Sequence, residues 1–467
     1  MEGVGQFLCK DGFSYEGGFK NNKFHGIGVY KLKSGDRYIG NFAAGLLEGF
    51  GAYSLHSGES YKGYFVKGRK HGKGICVYSN GSRYFGTWYC GLPQGHGVFL
   101  APTVPRLKYR ETCRKDGLFG KYIGEFESGF LHGQGQYFFP DGSLYVGEWR
   151  RNAAHGNGVF YFISGNIYSG SWNHNKREGI GTYTFASGST YTGTFVDNDI
   201  SGKGIFQYSM GAVYKGCFLK NKRHGKGIYT WPNGNVYKGG FVNNSICGVG
   251  EIKYANGCSY RGNWQSNKKE GFGEFTYANG DRYTGEFRED LKEGRGRMVY
   301  FPGTPIEESY EGEWMGDAKH GQGKYTYRES EGLVYEGTFK MNRRDGRGKL
   351  TFKDGTYYEG DFVNEQMEGR GVYVGASGVQ YEGEWSANLR HGEGRQVYPD
   401  KTIYEGQFYQ NMRQGIGNTL FADGLSSHRG EWAEDLLVGG ARGVQTLHCG
   451  VGARGGPKEI RVRVFGF

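Results

Sequence analysis

Through most of the chain, aromatic and glycine positions alternate with polar ones. Gly225, Gly227, Tyr229 and Trp231 fall on every second residue, with Lys226 and Thr230 between them. Gly321, Gly323, Tyr325 and Tyr327 repeat the order around Gln322 and Thr326, and Tyr145, Gly147 and Trp149 alternate in the same way. A period of two predicts half-buried β-strands with one aromatic face and one wet face. Two kinds of connection separate the runs. Short turns such as Asp141-Gly142 and Asn279-Gly280 are hairpin signals. The stretch from Lys20 to His25 reads as a six-residue loop and recurs in other copies.

The alternation belongs to a longer period. Tyr-x-Gly-x-(Trp or Phe) starts at Tyr15, Tyr38, Tyr61 and Tyr84, each 23 residues after the last. It resumes at Tyr122 and runs at the same step to Tyr283, followed by Tyr310, Tyr335, Tyr358, Tyr381 and Tyr404, which makes 17 copies. In each copy a Gly-x-Gly pair begins eleven residues after the tyrosine, as Gly26 and Gly28 follow Tyr15. A fixed period of this length marks a repeat architecture, in which each unit stacks on its neighbours. Glycine weakens a strand, so its recurrence at set positions predicts that aromatic rings approach the backbone there.

The motif Tyr-x-Gly-x-Trp, a basic connection and then His-Gly-x-Gly resembles the MORN (membrane occupation and recognition nexus) repeat. Tyr381 to Trp385 followed by His391 to Gly394 is nearly a consensus copy. The resemblance covers residues 3 to about 432 and implies an all-β fold, an elongated single-layer β-meander rod of tandem hairpins. It also implies scaffolding work of the kind done by radial-spoke, axonemal, cortical cytoskeleton and membrane-junction proteins. Some members join the repeats to a lipid kinase or methyltransferase domain, and no such domain follows here. With two strands per copy at about 4.8 Å, the copies predict a ribbon on the order of 160 Å long.

Four segments are expected: repeats over 3–98, an inserted loop or hinge over 99–121, repeats over 122–438 with a degenerate last copy, and a basic tail over 439–467. The insertion carries Pro102 and Pro105. In the tail, residues 458–465 alternate apolar and basic positions, which suggests a capping strand that seals the last edge, favoured over a strand offered to a partner. The abrupt start within a copy also fits an isoform or a piece of a longer product.

Composition sharpens this picture: 88 glycines and 37 tyrosines, with only 37% of residues hydrophobic, argue for a thin aromatic layer in place of a thick aliphatic core. Nine prolines and no three-residue glycine period exclude collagen. The eight cysteines include no Cys-x-x-Cys pair, which points to a reducing cytoplasm. No leader and no apolar run of membrane-spanning length is present, and Glu2 excludes amino-terminal myristoylation. Asn80 and Asn243 match the glycosylation pattern, but turn composition already accounts for the first.

No catalytic constellation emerges. His25, His71, His132, His155, His224, His320 and His391 share one slot before Gly-x-Gly, but copies about 10 Å apart cannot ligate one metal, so a structural role is expected. Residues 450–455 fit a dinucleotide pattern without the strand and helix it needs. Glu148, Glu286, Glu313 and Glu384 recur on the polar face and form no unequal pair for acid-base work. A non-enzymatic protein without cofactor or metal is therefore expected.

The remaining chemistry is charge. The formal net is +11, and five basic residues against one acidic from Gly440 onward leave +7 on the repeats. Candidate loops for an anion or a partner hold Lys67, Arg69 and Lys70; Lys176 and Arg177; Lys220, Lys222 and Arg223; Lys268 and Lys269; Arg343 and Arg344. They predict a basic ladder along one edge, attractive to other proteins or to anionic lipid headgroups. Nucleic acid is disfavoured because the aromatics belong to the buried pattern. The expected role is a cytoplasmic scaffold in the axoneme or cortical cytoskeleton that binds other proteins or itself. The alternative is a peripheral membrane adaptor reading phosphoinositides.

Overall fold

In the computed structural model, residues 1–102 and 120–444 are described. They contain strands, turns and no helix. The chain divides into two compact units, one of Met1–Pro232 with Phe241–Asn244, the other of Asn233–Gly240 with the residues from Ser245 onward. In the first, strands from Gly3–Leu8 to Lys222–Thr230 pair antiparallel with their neighbours in sequence. The second repeats this from Ser245–Lys253 to Leu436–Val444. Each unit is thus an open meander of tandem hairpins.

One copy shows why. Leu144–Arg150 is joined to Ala153–Tyr161 by Arg151 and Asn152, at φ +48° and +67°. Two consecutive left-handed residues make a type I′ turn, whose twist matches that of the flanking strands. Tyr161 then leads into a turn in which the Gly165 amide donates to the Phe162 carbonyl at 2.9 Å. Gly165, at φ +83°, supplies the left-handed position that this turn requires. The expected six-residue loops are therefore corrected: the connection from Lys20 to His25 consists of Asn21 and Asn22 alone, at φ +49° and +61°, and strand resumes at Lys23. Asparagine tolerates the left-handed conformation, which lets the turn close without glycine.

The I′ turns also bond to one another. Asn175 donates its amide to the Ala154 carbonyl at 3.0 Å, while its Oδ1 accepts from the Ala154 amide at 2.7 Å. The same pair of bonds links Asn198 to Arg177 and Asn221 to Ile200.

Within the sheet, Gly147 stands opposite Gly158 and Tyr145 opposite Phe160. The tyrosine ring folds back over both glycines, as the alternation predicts. A Cβ on Gly158 would lie 2.6 Å from Tyr145 Cε2, and one on Gly147 would lie 2.5 Å from Gly158 Cα. Tyr145 is fully buried, its hydroxyl donates to the Glu148 carbonyl at 3.0 Å, and its ring meets Trp149 and Trp172 edge to face at 5.1 and 5.2 Å. Because Trp172 belongs to the following copy, each tyrosine joins two repeats. Such ring pairs contribute about 0.5–1.5 kcal/mol beyond area burial, and stability is summed along the array.

The ladder survives the insertion. Leu92–Leu100 pairs with Lys121–Glu127, with Leu100 opposite Lys121. Most of the expected loop at 99–121, residues 103–119, lies outside the described residues, as does the tail from 445 on with its expected capping strand. Leu436–Val444 still pairs with Ser426–Ala433, so the meander runs a few residues past Gly439.

Candidate binding face

A bulge sits beside each I′ turn and sets which side chains face the rings. Between Gly147 and Trp149 the register shifts, so that Trp149 stands opposite Ala154. The extra residues include Gly156 at φ +58°, and Glu148 Oε1 accepts from the next amide, Asn157, at 2.9 Å. Glu286 accepts from the Arg295 amide in the same way at 3.3 Å, so Glu148 and Glu286 of the polar face each cap a bulge. The second residue after the turn, Ala154 here, lands on the aromatic face.

The predicted basic residues divide on this point, which corrects their assignment to loops. Only Lys67 and Lys220 lie in turns, where both are exposed at positive φ. Arg69, Lys176, Lys222, Lys268 and Arg343 open strands and face solvent; Lys176 is ion-paired to Asp197 and Lys268 to Glu289. Lys70, Arg177, Arg223, Lys269 and Arg344 occupy the second strand position and reach over the aromatic face. No single basic ladder results, because two adjacent strand residues point to opposite sides of the sheet.

The inward slot was not recognised from sequence, although Leu131, Ala154, Ile200, Ile246 and Met367 fill it in other copies and mark it as an interior position. It also holds Lys292, Lys319, Arg390 and Arg413. The arginines repeat one contact. Nη2 of Arg177, Arg223, Arg344, Arg390 and Arg413 donates to the turn carbonyl of Asn198, Asn244, Glu365, Asn411 and Asp435, at 2.6–3.1 Å. A guanidinium suits this role because it can stack on a ring while its fork donates sideways. Lys70 instead pairs with Glu59 at 3.1 Å, beneath Trp88 and Tyr53. Burial holds the ammonium groups of Lys269, Lys292 and Lys319 below the usual lysine range.

Beside the inward slot runs a second row of rings. In the first unit Tyr137, Phe139, Phe160, Phe162, Tyr183, Phe185, Phe206, Tyr208, Tyr229 and Trp231 follow one another with centroids 4.4–6.0 Å apart. Apart from Tyr137 these rings are only half-buried. Among the described residues of this unit no second layer covers them.

The histidine slot faces the other side. His71 and His391 lie near the rings of Tyr89 and Tyr409, and His132 Nε2 is 3.2 Å from Glu127. In two of the copies without histidine the slot holds Glu178 and Glu270, which accept the first amide of the next turn, from Asp197 and Glu289. Among the described residues no three metal-ligating groups gather.

The repeat motif, its turns and its register are matched by the family model described as MORN repeat. The matches fall at 15–103 and 122–304 in consecutive copies, then at 310–329 and 335–426. The chain belongs to the MORN repeat family. Its MORN copies support a repeat-based protein-binding or scaffold role. No curated protein matches the chain. Among solved structures it is similar to the SAS-4 (dCPAP) TCP domain of Drosophila melanogaster in complex with a proline-rich motif of Ana2 (dSTIL), at 16% identity and TM-score 0.24, covering 40% of this chain and 99% of that one. The TCP10 domain of Danio rerio CPAP aligns at 10% identity and TM-score 0.12, covering 58% and 93%. A streptogramin B lyase aligns at 15% identity and TM-score 0.11, covering 62% and 87%. Each MORN copy therefore offers the same two devices, a ring-on-glycine unit for stacking and an inward slot whose occupant changes from copy to copy.

Proposed function

We propose that this MORN protein is a non-enzymatic scaffold that holds partner proteins on its aromatic face, in the ciliary axoneme or the cortical cytoskeleton. The half-buried row from Phe139 to Trp231 carries this reading, since a contiguous apolar strip without a covering layer marks an interaction surface. The polar groups that a catalytic reading would use are occupied in structure: Glu148 caps a bulge and Arg177 ties a turn. Detergent extraction of ciliated cells expressing the tagged chain tests the reading. Retention in the axonemal or cytoskeletal pellet is expected, and quantitative release into the soluble fraction contradicts it.

A second reading, a peripheral adaptor for phosphoinositide headgroups, is favoured by the exposed cations around two turns. These are Lys67 with Arg69, and Lys220 with Lys222. Clusters of this kind attract anionic membranes in low salt.

A further inference from the structure

Three neighbouring copies in the second unit carry lysine in the inward slot: Lys269, Lys292 and Lys319. Their surroundings are much alike. Lys269 Nζ lies 5.0 Å from the Phe275 centroid, Lys292 Nζ 4.5 Å from Trp314, and Lys319 Nζ 4.4 Å from Tyr325. Where arginine occupies this slot, its guanidinium is consumed by the turn carbonyl of the next copy. A lysine stem ends before that carbonyl, and none of the three makes the bond. Lys292 reaches the Tyr277 hydroxyl at 3.4 Å, and among the described residues no carboxylate lies within ion-pair distance of any of the three. Asp290 and Asp317 stand nearby and offset part of the charge, but their Oδ1 atoms accept the Lys269 and Lys292 backbone amides at 2.9 Å. Lys70, held by Glu59 in the same slot of the first unit, shows what a satisfied lysine looks like here.

The row thus holds cations that have been partly stripped of water without an ion-pair partner, which is an unfavourable state for an ammonium. Burial depresses all three in the direction that this predicts. A ligand that brings carboxylates relieves it, and the geometry limits which ligand fits. Successive lysines are two strands apart, about 10 Å at ordinary strand spacing. In a polyproline II peptide, with three residues per turn and about 3.1 Å per residue, every third side chain returns to the same face after about 9 Å.

We infer that Lys269, Lys292 and Lys319 form a binding row for an acidic peptide in the polyproline II conformation that carries a carboxylate at every third residue. The row sits between ring rows, where a single polyproline II segment lying on the face can reach all three ammonium groups. Half-burial keeps them out of the plane that a flat lipid surface would touch. This deepens, and rests on, the reading that partner proteins bind the aromatic face.

The test uses the full chain and a fluorescein-labelled peptide with Glu at every third position, separated by Pro residues that hold it in polyproline II. Fluorescence anisotropy in low salt should show it binding at least tenfold tighter than its Gln counterpart and than an isomer with Glu at every second position. The variant K269M/K292M/K319M places in the slot a residue already accommodated at Met367, and should lose at least tenfold in affinity with an unchanged melting temperature. Equal binding of the three peptides, or an undiminished affinity of the variant, overturns the inference. Binding of the wild type to phosphatidylserine vesicles, lost in the variant while the peptide is ignored, overturns it in favour of a headgroup. If the peptide fails but the protein stays in the cytoskeletal pellet, only this inference falls; release of the wild type into the soluble fraction removes the scaffold reading itself.

Discussion

Arg177 donates through Nη2 to the carbonyl of Asn198, 2.7 Å away, and so ties one MORN hairpin to the turn of the next. Its guanidinium also covers the Tyr183 ring at 5.2 Å. Arg177→Lys keeps the charge and the ring contact but drops the bond, at a cost of about 1 kcal/mol. Hydrogen exchange should quicken at the amides from Arg177 to Asn198 and leave distant copies unchanged, because each repeat contacts only its neighbours. An unaltered local rate would show that the bond carries no stability.

The two glycine roles separate by substitution. Gly158→Ala drives a methyl into the Tyr145 ring and should cost about 1–3 kcal/mol or more, as overpacking does. Gly248, at φ +77° with open space around its Cβ direction, needs only the left-handed backbone. Gly248→Ala should cost about 1–2 kcal/mol. Local unfolding followed by hydrogen exchange should rank the first above the second, and the reverse order would refute the packing of Tyr145 on Gly158.

Alkaline pH should loosen the array. Burial raises Tyr168, Tyr191, Tyr214 and Tyr237 from 10.0 to about 12. The buried ring favours its neutral form, so the stabilisation is fully present below pH 10, the unfolded value, and is lost as pH rises towards about 12. The melting temperature should fall over that window, with phenolate absorbance from these rings appearing only as structure is lost. Ionisation of every tyrosine near pH 10 in the folded chain would contradict their burial.

Charge reversal should divide the Lys220, Lys222 and Arg223 group. Lys220 and Lys222 face solvent, so K220E/K222E should leave stability within about 0.5 kcal/mol. Arg223 lies 4.9 Å from the Tyr229 centroid and bonds to Asn244, so Arg223→Glu should cost a few kcal/mol by setting an unpaired carboxylate on rings. Vesicle binding with phosphatidylinositol phosphates checks the membrane reading through K220E/K222E alone. Unchanged affinity in low salt would count against it, without the confounding effect of a misfolded copy.

The period, the strand faces and the packing of rings on glycine were legible because each rests on residue types with few alternatives: glycine where a ring touches backbone, tyrosine where a long ring must end in a donor. The I′ turns were not, because Asn175, Asn198 and Asn221 are followed by Lys176, Asp199 and Lys222, polar residues that extend the appearance of a loop. Their recurrence at 23-residue steps was the available signal. The inward slot was missed for the same reason. Arg177 and Lys269 look solvated in sequence, and only strand parity, together with the apolar occupants Ile200 and Ile246, reveals that the slot faces rings.

Site-specific photocrosslinking in ciliated cells tests the scaffold role most directly. A benzophenone residue replaces Phe185 on the aromatic face, and in a second variant Thr182 on the polar face, where its hydroxyl meets that of Thr192. The account predicts discrete adducts with axonemal or cytoskeletal proteins from position 185 and few from position 182. No adduct from 185, or the same adducts from both positions, would contradict it.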